Sequence, residues 1–143
     1  ADIELITISD HPEASRPWSP ETVLEAMHAA DVAVVPSDET PAARAKSNNR
    51  LTLFMGVGLP VVATPLPSYR EAATHGKDAY LAREPEAWAQ ALRELRDPAI
   101  RRRVGEAARE TAWSRFAPSL VADRWEALFR RLAAGRATAG GSP

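Results

Sequence analysis

The sequence predicts an α/β fold in which helices connect the strands of a parallel sheet. Two continuous apolar runs, Val32–Val35 and Leu59–Ala63, have the length and composition of strands that are buried on both faces. Each run follows a segment with the apolar spacing of a helix, and further helical segments come after the second run. This alternation is typical of parallel sheets with crossover connections.

The N-terminal part of the chain begins the alternation. Ile3–Ile8 is rich in β-branched residues and is predicted to be a strand. The polar, proline-bearing stretch after it is predicted to be a loop. Ser19 and Pro20 have the residue types of an N-cap and a first helical position, so a helix should begin there and end near Ala30. Its predicted apolar face consists of Val23, Leu24, Met27 and Ala30.

The central part contains a long loop and two further helices. Pro36–Lys46 is long enough to be a functional loop rather than a simple connection. A helix is predicted over about Asn48–Val57, and Gly58 fits the left-handed residue that follows a helix. After the strand Leu59–Ala63, a short helix is predicted over Ser68–Thr74. The buried face of the longer helix should contain Leu51, Phe54 and Met55.

The C-terminal part is mainly helical. Ala79–Ala82 is predicted to be a small strand, and Glu84–Leu95 has the pattern of an amphipathic helix. Asp97 and the proline after it indicate a new helix that runs to about Ser114. A last helix is predicted over Pro118–Ala134.

Length and composition limit the classes of function. The 143 residues suit one domain, predicted at residues 1–134, and the Gly/Ser/Ala-rich residues 135–143 are predicted to be a flexible tail. A net charge of −1 gives no indication of a nucleic-acid partner. The absence of cysteine excludes disulfides, thiolate metal sites and a cysteine nucleophile. No pair of histidines has metal-ligand spacing, so no metal site is expected.

The start of the chain suggests a longer parent. The sequence begins at Ala1 rather than methionine and enters a predicted strand almost at once, so we expect a fragment truncated at its N-terminus. No apolar run has the length of a membrane span, and no signal-peptide pattern is present. These observations favour a cytoplasmic location.

The segment from Lys46 to Glu71 is the main candidate site. Ligands of open α/β sheets bind outside the carboxyl ends of the strands, where this segment should lie. Lys46, Asn49 and Arg50 offer positive charges and amide donors to a diphosphate at a predicted helix start. A cation there opposes the helix dipole, which favours a nearby anion. The alternative is a solvated helix end with ordinary surface charges.

Other candidates lie after the predicted strands or before a helix. Ser68 and Tyr69 follow the strand Leu59–Ala63 and are candidates for lining a phosphate or base site, with a turn and N-cap as the alternative. Ser37 follows the other buried strand and is a candidate contact to a nucleotide. Trp18 precedes a helix and is the tryptophan best placed to stack on a base or a sugar. The other three tryptophans fall on the apolar faces of predicted helices and are expected to pack in the core.

Several motifs together resemble a known family. They are, in order, Asp31–Ser37 (DVAVVPS), Lys46–Leu51 (KSNNRL), Gly58–Thr64 (GLPVVAT), Gly76–Leu81 (GKDAYL) and Asp97–Arg101 (DPAIR). Their order and spacing resemble the C-terminal domain of GT-B glycosyltransferases, especially the family-4 group. The resemblance extends from about Ile3 to Leu132. The four predicted strands make a thin Rossmann-like sheet; if Ile3–Ile8 is the second strand of such a fold, the central first strand is absent from this chain.

The resemblance also implies a function. In that family the C-terminal domain binds a nucleoside-diphosphate sugar, a separate N-terminal domain holds most of the acceptor, and no tightly bound cofactor or metal is needed. Lys46 and Arg50 would then hold the diphosphate and Glu71 the ribose, although an acidic residue in a first helical turn is also favourable without a ligand. The catalytic residues cannot be assigned, and without its N-terminal domain the fragment is expected to be inactive.

The sequence also departs from the family pattern. Many members carry two glutamates around the helix before the GLPVV strand, but Ala45 and Leu53 occupy those positions here. The KSNNRL segment instead resembles the motif of a subgroup. Two alternatives therefore stay open, a degenerate non-catalytic interaction module and a sugar-nucleotide epimerase of GT-B architecture. The basic run Arg101–Arg103 offers a peripheral contact to the inner face of a membrane, with a solvated helix face as the alternative.

Overall fold

The computed structural model describes residues 3–139, and the side chains of residues 3–134. This part of the chain forms seven helices and three strands. They are α1 (Pro20–Ala29), β1 (Ala33–Val35), α2 (Pro41–Arg44), α3 (Asn49–Gly56), β2 (Val61–Ala63), α4 (Pro67–Ala72), β3 (Tyr80–Leu81), α5 (Pro85–Glu94), α6 (Pro98–Phe116) and α7 (Pro118–Ala139).

The three strands form one parallel sheet in the order β1-β2-β3. Val35 lies opposite Ala63 at the end of the first pair, and Ala63 lies opposite Leu81 at the end of the second. Helices connect the strands, as parallel pairing requires. The predicted α/β class and the parallel, Rossmann-like sheet are therefore confirmed.

The buried residues of β2 alternate between two cores, one on each face of the sheet. Val61 and Ala63 belong to a core that also contains Leu51 and Met55 of α3. Val62 points to the opposite core, where Leu95 follows α5. Both faces of the central strand are thus covered, which explains why its sequence is continuously apolar.

The contact between α3 and α6 depends on two glycines. Gly58 follows α3 with a φ of +80°, as predicted for a residue that ends a helix in the left-handed conformation. Gly105 of α6 packs directly against the backbone carbonyl of Gly58, and a Cβ at position 105 would overlap that oxygen. The two backbones can approach this closely because Gly105 has no side chain, whereas Gly58 is required for its positive φ.

Helix starts follow the predicted capping residues. Ser19 accepts a hydrogen bond from the Thr22 amide, and Asp97 accepts one from the Ala99 amide. Each of these N-caps is followed by a proline at the first helical position, whose missing N–H leaves no unsatisfied donor.

The predicted strand Ile3–Ile8 is wrong. Its only described pairing is an isolated bridge between Ile8 and Arg16, and the side chains of Ile3, Leu5 and Ile6 are exposed. Thr7 instead hydrogen-bonds Ser15 through both backbone and hydroxyl groups. A strand needs a neighbour to satisfy its backbone, and this segment is not paired with the sheet.

Smaller differences concern the ends of elements. The loop Pro36–Lys46 contains the single-turn helix α2, and α4 begins at Pro67 rather than Ser68. Helix α7 continues past Ala134 to Ala139, whereas residues 140–143 of the predicted tail lie outside the described residues. The predicted inward position of Leu24 is wrong, because 52% of its side chain is exposed.

Candidate functional site

The segments that follow β1 and β2 are joined to each other at the carboxyl edge of the sheet. Ser37 follows β1, and its backbone amide donates a 3.0 Å hydrogen bond to the Thr64 hydroxyl just after β2. Thr64 in turn donates its amide to the carbonyl of Val35. This pair of bonds joins the exits of two neighbouring strands, so Ser37 and the chain leading to α4 are held side by side. Thr64 is buried and was not among the predicted site residues.

Three predicted residues stand at the start of α3. Lys46 precedes the helix, and Asn49 and Arg50 are its first two residues. All three side chains are exposed. Within residues 3–134, neither the ammonium group of Lys46 nor the guanidinium group of Arg50 forms a hydrogen bond or an ion pair. Two positive charges therefore stand free at a helix end where the dipole is also positive.

The short helix α4 carries three more predicted residues. Tyr69 is buried, and burial raises the pKa of its phenol, an effect that the positive charge of Arg50 partly opposes. The hydroxyl oxygen of Ser68 is buried and has no hydrogen-bond partner among the described residues. An unpaired buried hydroxyl is costly, so a ligand oxygen or a water is the natural partner of Ser68.

Glu71 does not occupy the first turn of its helix. Because α4 begins at Pro67, Glu71 lies in the last turn, and the carbonyls of Glu71 and Ala72 accept hydrogen bonds from Arg115 of α6. The dipole-based explanation of this acidic residue is therefore wrong, since a negative charge is favourable only near a helix N-terminus. Its carboxylate is exposed and makes no ion pair within the described side chains.

A surface cleft of about 420 Å³ extends from Arg50 to the N-terminal segment. It is lined by Ile8, Ser9, Asp10, Trp18 and Arg50, and we call it the Trp18 cleft. The structure thus brings together Trp18 and Arg50, which are far apart in sequence. Ser9 and Asp10 were not identified as site residues. No local pattern could have identified them, because the strand predicted before them does not form and the cleft depends on Trp18 and Arg50 from other parts of the chain.

The predicted residues do not all lie in one cavity. Arg50 lines the Trp18 cleft, and its positive charge also acts on the Tyr69 phenol of α4. Neither Ser37 nor Glu71 lines this cleft.

A buried carboxylate supports the connection between α4 and β3. Asp78 accepts hydrogen bonds from the Thr74 amide at 2.7 Å and from the Thr111 hydroxyl at 2.8 Å. Both carboxylate oxygens are thus used in joining the loop to α6. Asp78 is a structural residue that the sequence did not single out.

The three histidines make local hydrogen bonds. His11 and His75 accept backbone amides through Nδ1, and Nδ1 of His28 bonds the carbonyl of Leu24. Among the described residues, no group of three or more His, Cys, Asp or Glu side chains could hold a metal ion.

The remaining tryptophans do not pack as a group. Trp88 is half-buried against a core, as predicted. Trp113 and Trp125 are each 54% exposed, so their predicted packing in the core is wrong. The indole of Trp113 donates to the carbonyl of Gly56, and Trp125 stacks on Phe129.

The basic run on α6 is partly used within the fold. Arg101 donates hydrogen bonds to the carbonyls of Leu95 and Arg96 at the end of α5 and forms an ion pair with Asp31. Arg102 and Arg103 are exposed. None of the helices within residues 3–139 is both long and apolar enough to span a membrane.

A comparison with protein-family models identifies the class of protein. The model of the glycosyl transferases group 1 matches residues 15–97, which is more than half of the chain. The chain therefore belongs to that family and contains a GT-B glycosyltransferase domain. The match covers the whole described sheet and helices α1 to α5, including every predicted site residue. A search among curated proteins gives no match.

Proposed function

We propose that this chain is the donor-binding, C-terminal domain of a family-4-like GT-B glycosyltransferase. The parent enzyme transfers a sugar from a nucleoside-diphosphate sugar to an acceptor hydroxyl, with the N-terminal domain of the enzyme holding the acceptor. Membership of the group 1 family supports glycosyl transfer and a nucleotide-sugar donor. The unpaired positive side chains at the start of α3 are the observation on which our assignment of the diphosphate-binding residues depends.

Lys46 and Arg50 bind the diphosphate in this proposal. When the sugar leaves, negative charge develops on the diphosphate, and preorganised positive groups stabilise it. These two side chains stand without partners in residues 3–134, at a helix end that itself favours an anion. Asn49 lies beside them on the first turn and adds an amide donor.

The remaining proposed contacts to the nucleotide sugar come from α4 and from the end of β1. Ser68 offers a buried hydroxyl that lacks a partner, and the adjacent Tyr69 fixes the position of the helix by its burial. Glu71 accepts hydrogen bonds from the ribose hydroxyls, and Ser37 lines the site from the β1 side. Ala45 and Leu53 occupy the positions of the two glutamates that many family members carry. The loss of these glutamates supports one competing function, a non-catalytic interaction module that binds no nucleotide.

Calorimetric titration of the chain with UDP and GDP tests the donor site. We expect saturable binding of at least one nucleotide, weakened about tenfold to a hundredfold by Lys46→Ala through loss of a charge-assisted contact. Lys77→Ala is the matched control, because Lys77 is the other lysine of the chain and lies exposed in the turn before β3. If neither nucleotide binds, or if both variants bind as the wild type does, the proposal is wrong.

A further inference from the structure

The Trp18 cleft contains three chemically different side chains that the fold leaves free. Trp18 supplies an aromatic face, Arg50 a positive charge and Asp10 a negative charge. Within the described residues, none of these three side chains forms a hydrogen bond or an ion pair. A cavity with a few convergent polar groups and an aromatic wall is the usual form of a small-molecule site.

The indole of Trp18 is available for stacking. It is 57% exposed, although large aromatic side chains are usually buried. Ile8, half-buried on the same cleft, adds an apolar surface. A flat ring could therefore lie against Trp18 without displacing any interaction of the fold. Stacking of a nucleobase on an aromatic side chain is strong and tolerates every base.

The two charges of the cleft do not neutralise each other. Asp10 and Arg50 line the same cavity, yet they form no ion pair. An ionised carboxylate only accepts hydrogen bonds and can accept two in parallel, whereas a guanidinium only donates them. The cleft thus offers an acceptor pair at Asp10 and an anion-binding group at Arg50.

These features define a ligand with an anionic group, a flat ring and two adjacent N–H donors. Guanine presents such a pair of donors at N1 and N2, whereas uracil presents a single ring N–H between two carbonyl oxygens that a carboxylate repels. We propose that the Trp18 cleft is the nucleobase subsite and that Asp10 makes it selective for guanine. This inference rests on the proposed function, because Arg50 is the residue shared with the diphosphate.

Calorimetric titration of the full chain and its variants with GDP and with UDP separates stacking on Trp18 from recognition of guanine by Asp10. We expect GDP to bind more tightly than UDP by about tenfold or more, as for a bidentate hydrogen-bonded pair. Asp10→Asn should remove most of that preference by weakening GDP. Trp18→Leu should weaken both nucleotides by about fivefold or more through loss of stacking.

Matched controls come from exposed positions outside the cleft. Trp125→Leu removes a tryptophan of similar exposure on α7, and Asp123→Asn removes an exposed carboxylate on the same helix. Both should bind GDP and UDP as the wild type does. Far-UV circular dichroism of each variant verifies that the fold is retained.

The outcomes distinguish this inference from the donor site itself. If GDP and UDP bind equally, are insensitive to Trp18→Leu and Asp10→Asn, and still depend on Lys46, the nucleobase subsite is wrong and the donor site stands. If the wild type binds neither nucleotide, both the donor site and the subsite are wrong. A tighter binding of UDP that depends on Trp18 contradicts the guanine selectivity alone.

Discussion

At the scale of single residues, two glycines set the distance between α3 and α6. Gly58 ends α3 in a left-handed conformation, and Gly105 faces its carbonyl oxygen from α6. The sequence predicted the role of Gly58 from its place after an amphipathic helix. It gave no reason to select Gly105, because a glycine inside a helix has no local function and its partner is far away in the chain.

Gly105→Ala should destabilise the fold, because the new Cβ would overlap the carbonyl oxygen of Gly58 and push the two helices apart. We expect a loss of about 1–3 kcal/mol in the free energy of unfolding, as for other overpacked sites. Urea denaturation followed by circular dichroism measures it. Gly56→Ala is the control, since a Cβ there meets nothing within 4 Å. Equal stability of the two variants would contradict the close contact.

At the scale of elements, side-chain hydrogen bonds hold helix ends and strands in place. Arg115 of α6 donates to the last carbonyls of α4, and Trp113 of the same helix donates to the carbonyl of Gly56 at the end of α3. Tyr80 of β3 donates to Glu94 of α5 at 2.8 Å. The bonds from Arg115 and Trp113 compensate for carbonyls that a helix cannot satisfy itself, and the bond from Tyr80 joins a strand to the helix that follows it.

The Tyr80–Glu94 bond should make stability depend on pH. The hydrogen bond from the Tyr80 hydroxyl, followed by one from Gln90, lowers the pKa of the Glu94 carboxyl below its ordinary value of 4.5. Because the folded-state pKa is depressed, its contribution is fully present above the unfolded-state pKa and is lost as pH falls through the folded-state pKa. Tyr80→Phe should therefore be less stable than the wild type at pH 7, with a smaller difference below pH 4.5.

Thermal unfolding of both proteins across that pH range measures the effect. Gln90→Ala serves as a comparison, because it removes the weaker of the two hydrogen bonds to the same carboxylate and leaves the buried ring of Tyr80 in place. A stability difference between the wild type and Tyr80→Phe that stays constant as the pH falls would show that the bond does not favour the ionised carboxylate.

At the scale of the whole molecule, the last helix, α7, contributes no described residue to the two cores of the sheet. Its side chains at Val121, Trp125, Phe129 and Leu132 are exposed and recur at helical spacing. The stability of the domain therefore depends on the segment that ends with α6.

A chain that ends at Ala117 should fold as the full chain does. Because α7 adds little buried surface, we expect the free energy of unfolding to change by less than about 1 kcal/mol. Urea denaturation monitored by far-UV circular dichroism gives both the midpoint and the slope. A chain that ends at Arg103, within α6, is the control and should not fold, since it loses Ala108 and Ala112 from the core. Failure of the longer chain to fold would show that α7 is part of the stable unit.

Most of the fold could be predicted because it follows from local patterns. A few neighbouring residues are enough to predict the parallel strands that begin at Ala33 and Val61. The same is true of the helix starts at Ser19 and Asp97 and of the left-handed Gly58. The candidate site was predictable in outline for the same reason, since strand ends in parallel sheets meet at one edge.

The sequence by itself determined the class of fold, the order of the strands and of the helices other than α2 from Pro20 onwards, and the polar composition of the carboxyl edge, because periodicity and capping act over a few residues. Only the tertiary structure decided that Ile3–Ile8 pairs with no strand of the sheet, that Tyr69 is buried, and that Trp18 and Arg50 share a cleft. The physical reason is that a strand requires a partner and a cavity requires several walls. Those neighbours come from distant parts of the chain, where local patterns carry no information.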